Sequence, residues 1–203
     1  ARGVVFNIIY ASPSAYGPED DQYFEQRLEP WKRQITLAAD LERSSRNGVD
    51  QRNLIMPIWQ WPNIGITTLL LSNRGQALAI PGQRWKLKEL ATLPKPHPDA
   101  LAFVANQQLP SQSPLDLPFV GGEGSWPVIP AWQIEEISDD FWQDRLVLIG
   151  VTSSSMGHQQ ETPFGPLSGS EVQAVAIAAV ADGNGVLPVS PFLPRIPYPN
   201  PLS

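Results

Sequence analysis

Thr152, Ser153, Ser154 and Ser155 share one stretch with His158 and Glu161, so hydroxyls, an imidazole and a carboxylate stand within ten residues. Those are the ingredients of a nucleophilic site, in which a base activates a hydroxyl and a third group orients the base. Working triads draw these groups from distant chain segments, and no strained G-x-S-x-G elbow is present here. Three readings therefore stand side by side. One is a hydrolase-like site, a second is a polar loop that caps a strand end, and the third is a small-ligand site. The third follows from the habit of open α/β sheets to bind beyond the carboxyl ends of their strands. Its candidate residues are Asn7, Ser12, Thr152, Ser153, His158, Gln159 and Thr162. They offer mostly neutral hydrogen-bonding groups, suited to a small polar molecule rather than to metal or phosphate.

Other chemistry-bearing residues have plainer explanations. His97 and His158 are the only histidines, and His97 lies in Pro94-Lys95-Pro96-His97-Pro98, an extended, solvated segment. A metal site needs several converging ligands, so none is expected, and no cofactor is implied. Asp20-Asp21 reads as helix-opening charge. Gly121-Gly122-Glu123-Gly124 lacks the lysine and helix opening of a phosphate loop and reads as a turn. Trp59 and Trp61, beside Pro57 and Pro62, suit core or edge packing, with an exposed binding or dimer surface as the alternative.

Composition narrows the classes further. The 203 residues include no cysteine, which removes disulfides and thiolate chemistry. The net charge is −6 and no Lys/Arg cluster is visible, so nucleic acid is not an expected partner. The 22 prolines are about twice average usage and predict stiff connections. No run reaches the roughly 20 apolar residues that cross a bilayer. Ala1-Arg2-Gly3 leads directly into a strand-like run without a signal peptide.

The elements that must position these residues read as strand and helix in alternation. Val4–Tyr10 is a nearly continuous apolar run, as in a parallel strand covered on both faces. Ala11–Gly17 is a loop, and Pro18 opens a helix reaching about Trp31. Ile35–Ala39 is a second buried strand, and Leu41–Asn53 reads as a polar loop. Gly65–Leu71 and Gln76–Ile80 flank Ser72-Asn73-Arg74-Gly75 as a hairpin. Asp99–Gln107 is a short helix and Leu115–Val120 a strand. Leu146–Val151 is read as a central, fully apolar strand, so Ile149→Ala should cost about 2–5 kcal/mol. A long loop, Thr152–Leu167, leads to Ser168 and Glu171, which have capping-box spacing. The helix Val172–Ala181 is apolar nearly all round. The expected architecture is α/β: a largely parallel central sheet with helices on both faces and an edge β-hairpin. Residues 184–203, rich in proline, are expected to form a tether.

The run from Asp144 to Ala178, "DRLVLIGVTSSSMGHQQETPFGPLSGSEVQAVAIA", resembles the signature of CHASE type 2 domains (cyclases/histidine kinases associated sensory extracellular). That signature closes a buried strand in V-L-I-G, here Val147–Gly150, and continues through a Thr-Pro to a Gly-Val-Glu-Ile-His-Ala helix start. "VVFNIIYASPSAYGPEDDQYFEQRL" is similar to the family's first conserved strand and its P-x-D-D helix opening. "ITLAAD", the hairpin around Asn73-Arg74-Gly75 and "LDLPFVGGEGSW" follow in the family's order, so the resemblance covers most of residues 3–183. Two positions depart from it. His158 replaces an aspartate found after the V-L-I-G turn, and Gln173 stands where the family carries histidine. The family's opening strand, which ends in an aspartate, is expected to be missing from this chain.

The resemblance implies a CHASE2 sensory domain at 1–183, with 184–203 as a membrane-proximal tether. It implies an extracytoplasmic, non-enzymatic part of a bacterial membrane receptor. Flanking transmembrane helices absent from this chain would carry the signal to a cytoplasmic histidine kinase, nucleotide cyclase or serine/threonine kinase. The partners implied are a small-molecule or protein stimulus, the membrane, and a second copy in a homodimer.

Overall fold

Short β-branched runs with apolar side chains on both faces build the centre of the molecule. The structure is a computed structural model that describes residues 1–46, 49–153 and 158–183. The chain begins with β1 (Gly3–Phe6), α1 (Pro18–Leu28) and a 3₁₀ turn at Glu29–Trp31. β2 (Ile35–Arg46), β3 (Val49–Ile55) and β4 (Ile64–Ile66) follow. Next come β5 (Leu70–Leu71), β6 (Ala77–Ile80), α2 (Gln83–Glu89), β7 (Asp99–Ala100) and α3 (Leu101–Ala105). β8 (Leu115–Asp116), α4 (Asp139–Trp142) and β9 (Leu146–Ile149) lead to a hairpin, β10 (Gln159–Thr162) and β11 (Gly165–Ser168). The closing helix is α5 (Gly169–Ala181).

The central sheet has six strands, in the order β7-β4-β2-β1-β9, with β3 added to β2. All pairings but β2–β3 are parallel, as expected for strands linked by helical crossovers. Side-chain alternation divides the core between its two faces. Val5 points toward α3 and α5, into a cluster with Leu101, Phe103, Val172, Val175 and Val180. Its neighbour Phe6 points the other way, with Ile35 and Leu37, against Phe24 and Leu28 of α1. Farther along that face, Leu41 and Ile66 meet Leu90 and Trp85 at α2. Helices thus cover both faces.

One close approach sets the spacing on the α3 side. A Cβ on Gly65 would lie 2.5 Å from Leu101 Cα, so only glycine lets α3 rest directly on β4. Ala38, paired with Gly65, is fully buried on the same face and keeps the floor low. The apolar α5 is started by the expected capping box. Glu171 N–H donates to Ser168 Oγ (3.2 Å), while Glu171 Oε2 accepts from Ser168 N–H (3.0 Å) and from its hydroxyl (2.8 Å).

Several expectations need correction. Leu146–Val151 is not a central strand: β9 spans Leu146–Ile149, pairs only with β1 among the described residues, and leaves Ile149 37 % exposed. Its apolar character reflects partial cover at an edge, whereas β2, bonded to β1 and β4, holds the centre. Leu41–Asn53 is not a loop. Asp40–Arg46 pairs with Val49–Ile55 as an antiparallel ribbon. Both sides of that ribbon face solvent along Glu42–Ser44 and Gln51–Asn53, so it has no apolar alternation to announce it. Arg43 and Arg52 lie opposite each other, and Glu89 Oε2 reaches both, at 3.4 and 2.8 Å, which relieves their repulsion.

Gly65–Leu71 is two strands rather than one. β4 belongs to the central sheet, and β5 pairs with β6, which pairs with β8, in a separate antiparallel sheet. Leu115–Val120 keeps strand pairing only at Leu115–Asp116. Asp99–Gln107 opens with two residues of β7 before α3 begins. Thr152–Leu167 contains the β10–β11 hairpin. Trp59 and Trp61 are buried, at 7 and 6 % exposure, in a ladder of rings with Tyr10 and Phe24, so they form no surface. Burial there raises the Tyr10 pKa. His97 is half-buried, its ring Nε2 2.9 Å from Leu93 O. Gly122–Ser125 is the expected turn. The tether at 184–203 lies outside the described residues.

Candidate functional site

Parallel pairing brings the carboxyl ends of β1, β4 and β9 to one edge, where β2 leaves the parallel sheet at Asp40 and the first turn of α5 also lies. Asn7 is the first residue beyond β1. Its backbone N–H donates to Ile149 O (2.8 Å), which extends the β1–β9 pairing by one residue. Its side-chain Nδ2 donates to Ser170 Oγ (3.1 Å), and Ser170 Oγ donates to Val151 O (3.0 Å). Asn7, the exit of β9 and the start of α5 are therefore one bonded unit. Gly150 makes the unit possible, because a Cβ there would lie 2.2 Å from Ser170 Oγ and 3.3 Å from Asn7 Cβ.

A second polar string lies beside it, where β2 leaves the parallel sheet and β4 ends. Gln173 Nε2 donates to Thr67 O (2.7 Å). The Thr67 hydroxyl lies 3.0 Å from Asp40 Oδ1 and 3.2 Å from Ala39 O, and Thr68 Oγ1 is 3.4 Å from the same Asp40 oxygen. Gln173 is buried, so its neutral amide satisfies a carbonyl without bringing charge into the helix–sheet contact. Gln173 thus ties α5 to the residue that follows β4.

The seven residues read from sequence are distributed around this edge. Thr152 and Ser153 directly follow Val151, whose carbonyl Ser170 holds. The His158 carbonyl accepts from Gly169 N–H (2.9 Å), and Gln159 is paired with the helix cap Ser168. Asn7, Thr152, Ser153, His158 and Gln159 are thereby tied, by bonds or by chain adjacency, to β9 and the α5 start. Thr162 is not free to bind: it is buried, its hydroxyl donates to Gly165 O (2.6 Å), and it accepts from Phe164 N–H (3.2 Å) to close the β10–β11 turn. Ser12 is exposed in the loop between β1 and α1. Ser154 and Ser155 lie outside the described residues. Among the described residues no hydrogen bond joins the exposed His158 ring to a hydroxyl or to Glu161.

Sequence reasoning missed Gly150, Ser170, Asp40, Thr67 and Thr68. A glycine directly after an apolar strand and a second serine inside the capping box were the available signals. Asp40 carried one too, as an acid closing the buried run "ITLAAD".

The fold is an open, mostly parallel α/β sheet whose carboxyl edge carries hydroxyls and amides, the edge at which such sheets bind ligands. The chain belongs to the CHASE2 domain family, whose model matches residues 1–197. This is a family of sensory extracellular domains of signalling proteins. Neither the characterised proteins nor the solved structures yield a match to this chain. No described helix is long and apolar enough to cross a membrane.

Proposed function

We propose that this domain perceives a stimulus outside the cytoplasm on behalf of a membrane-bound receptor. It passes the signal through flanking transmembrane helices to a cytoplasmic kinase or nucleotide cyclase. The observation that carries this reading is the CHASE2 match along residues 1–197. The carboxyl edge supports it with a place to bind. Asn7 Oδ1 has no protein partner among the described residues, and Thr152 is exposed beside it in the chain beyond Val151. A small polar ligand held there by neutral hydrogen bonds, each contributing about 0.5–1.5 kcal/mol, would bridge β1, β9 and the α5 start. It would act through differential affinity for two arrangements of those elements.

This chain contains no cysteine, so a single cysteine placed in it can be read for topology against the unsubstituted full-length receptor. Leu109 is 93 % exposed, and Leu109→Cys in the full-length receptor should react with a membrane-impermeant maleimide on intact cells whose outer barrier is opened. Labelling only after the cytoplasmic membrane is broken would overturn the extracytoplasmic placement.

A further inference from the structure

The opposite, amino edge of the same sheet holds a cavity of about 130 Å³, roughly the liquid volume of four waters. It opens where β1, β2, β4 and β9 begin and α3 ends, and its lining includes Arg2, Arg33, Thr36, Asn63, Asn106 and Leu146. We propose that this cavity is a binding site for a small organic carboxylate.

Three observations converge on that class. The first is charge. The chain carries 20 acidic residues against 14 basic ones, yet two arginines and no Asp or Glu line this cavity. Neither arginine has a carboxylate partner among the described residues; the Arg2 guanidinium donates to the neutral Asn106 Oδ1 (3.3 Å). Guanidinium groups present planar forks that match a carboxylate's two oxygens.

The second is Thr36. This residue is only 4 % exposed, and its hydroxyl makes no hydrogen bond among the described residues. Trp61 Nε1 is the fully enclosed side-chain polar atom that lacks a partner among the described residues. The Thr36 hydroxyl is not enclosed in that way, so it opens onto the cavity it lines. The Thr36 hydroxyl thus offers the cavity a hydrogen-bonding group that no protein atom among the described residues engages.

The third is the wall. Leu146 and Ala105 contribute apolar surface next to the polar groups. A short carbon skeleton with a carboxylate fits that mixture better than an inorganic oxyanion, which has no apolar part to bury.

This site is independent of the one proposed at the carboxyl edge, so each stands or falls alone. Titration calorimetry of the 203-residue chain with acetate, succinate and inorganic phosphate would test it. Saturable binding of a carboxylate, stronger than that of phosphate, is expected. Arg33→Gln and Thr36→Val should each weaken it by about tenfold or more, while Tyr16→Ser, at a residue 93 % exposed and outside the cavity lining, should leave it unchanged. Arg33 is exposed and Thr36→Val nearly conserves volume, so a thermal midpoint close to that of the parent chain should accompany the lost binding. No saturable carboxylate binding, preference for phosphate, or binding as tight as the parent chain's in both variants would each overturn the proposal.

Discussion

β2 and β9 are both apolar runs, and the more hydrophobic of the two sits at the edge. Leu146-Val147-Leu148-Ile149 has no polar residue, yet it is bonded on one side only and partly exposed throughout. Ile35-Thr36-Leu37-Ala38-Ala39 contains a threonine and two small alanines, yet each of the five is buried. Strand position follows from what covers both faces and both edges. Hydrophobicity alone reports neither. The small residues of β2 are informative in hindsight, because helices can press closely on a strand only where side chains are short.

The contrast can be broken most directly at Leu37, which is fully buried in β2. Leu37→Ala should lose about 2–5 kcal/mol through lost transfer energy and the cavity left behind. The urea midpoint would register it, and a change below 1 kcal/mol would dethrone β2 as the centre. Gly65→Ala should cost about 1–3 kcal/mol, since the new methyl meets the α3 backbone and not a movable side-chain tip. Hydrogen exchange should show the loss concentrated in α3 and β4; uniform loosening would mean that the contact is not local. The smallest effect belongs to the edge. Ile149→Ala should cost about 1 kcal/mol or less, read from the thermal midpoint, and a penalty matching that of Leu37→Ala would erase the distinction.

The legible parts of the sequence were those with one dominant signal. The α5 start could be read because Ser168 and Glu171 must bond reciprocally at that spacing, and they do. The parallel neighbourhood of β1 and β9 followed from two doubly apolar runs, which put Asn7 beside the end of β9. The ribbon was missed because Glu42, Arg43, Arg52 and Asn53 face water on both sides and carry no period of two. Asn47-Gly48, standing between the paired positions Arg46 and Val49, was its one local mark. At the site, Thr162 was chosen for its hydroxyl, but turn geometry two and three residues onward consumes that hydroxyl. The Asp40–Thr67 string and the Thr36 cavity depend on neighbours 27 or more residues away, beyond any local pattern.

The length of β2 gives the domain a mechanical property. Its 12 residues run unbroken from the amino-edge cavity through the sheet into the ribbon. At about 3.3 Å per residue the strand is a beam of about 40 Å, gripped about one fifth of the way along at Leu37 and overhanging at the far end. A tilt of about 3° at the grip would swing the overhang by about 1.5 Å. The cavity's Thr36 sits on the short arm and the Glu89 clasp on Arg43 on the long one. Small displacements at the first place would therefore emerge magnified at the second, as in any lever with unequal arms.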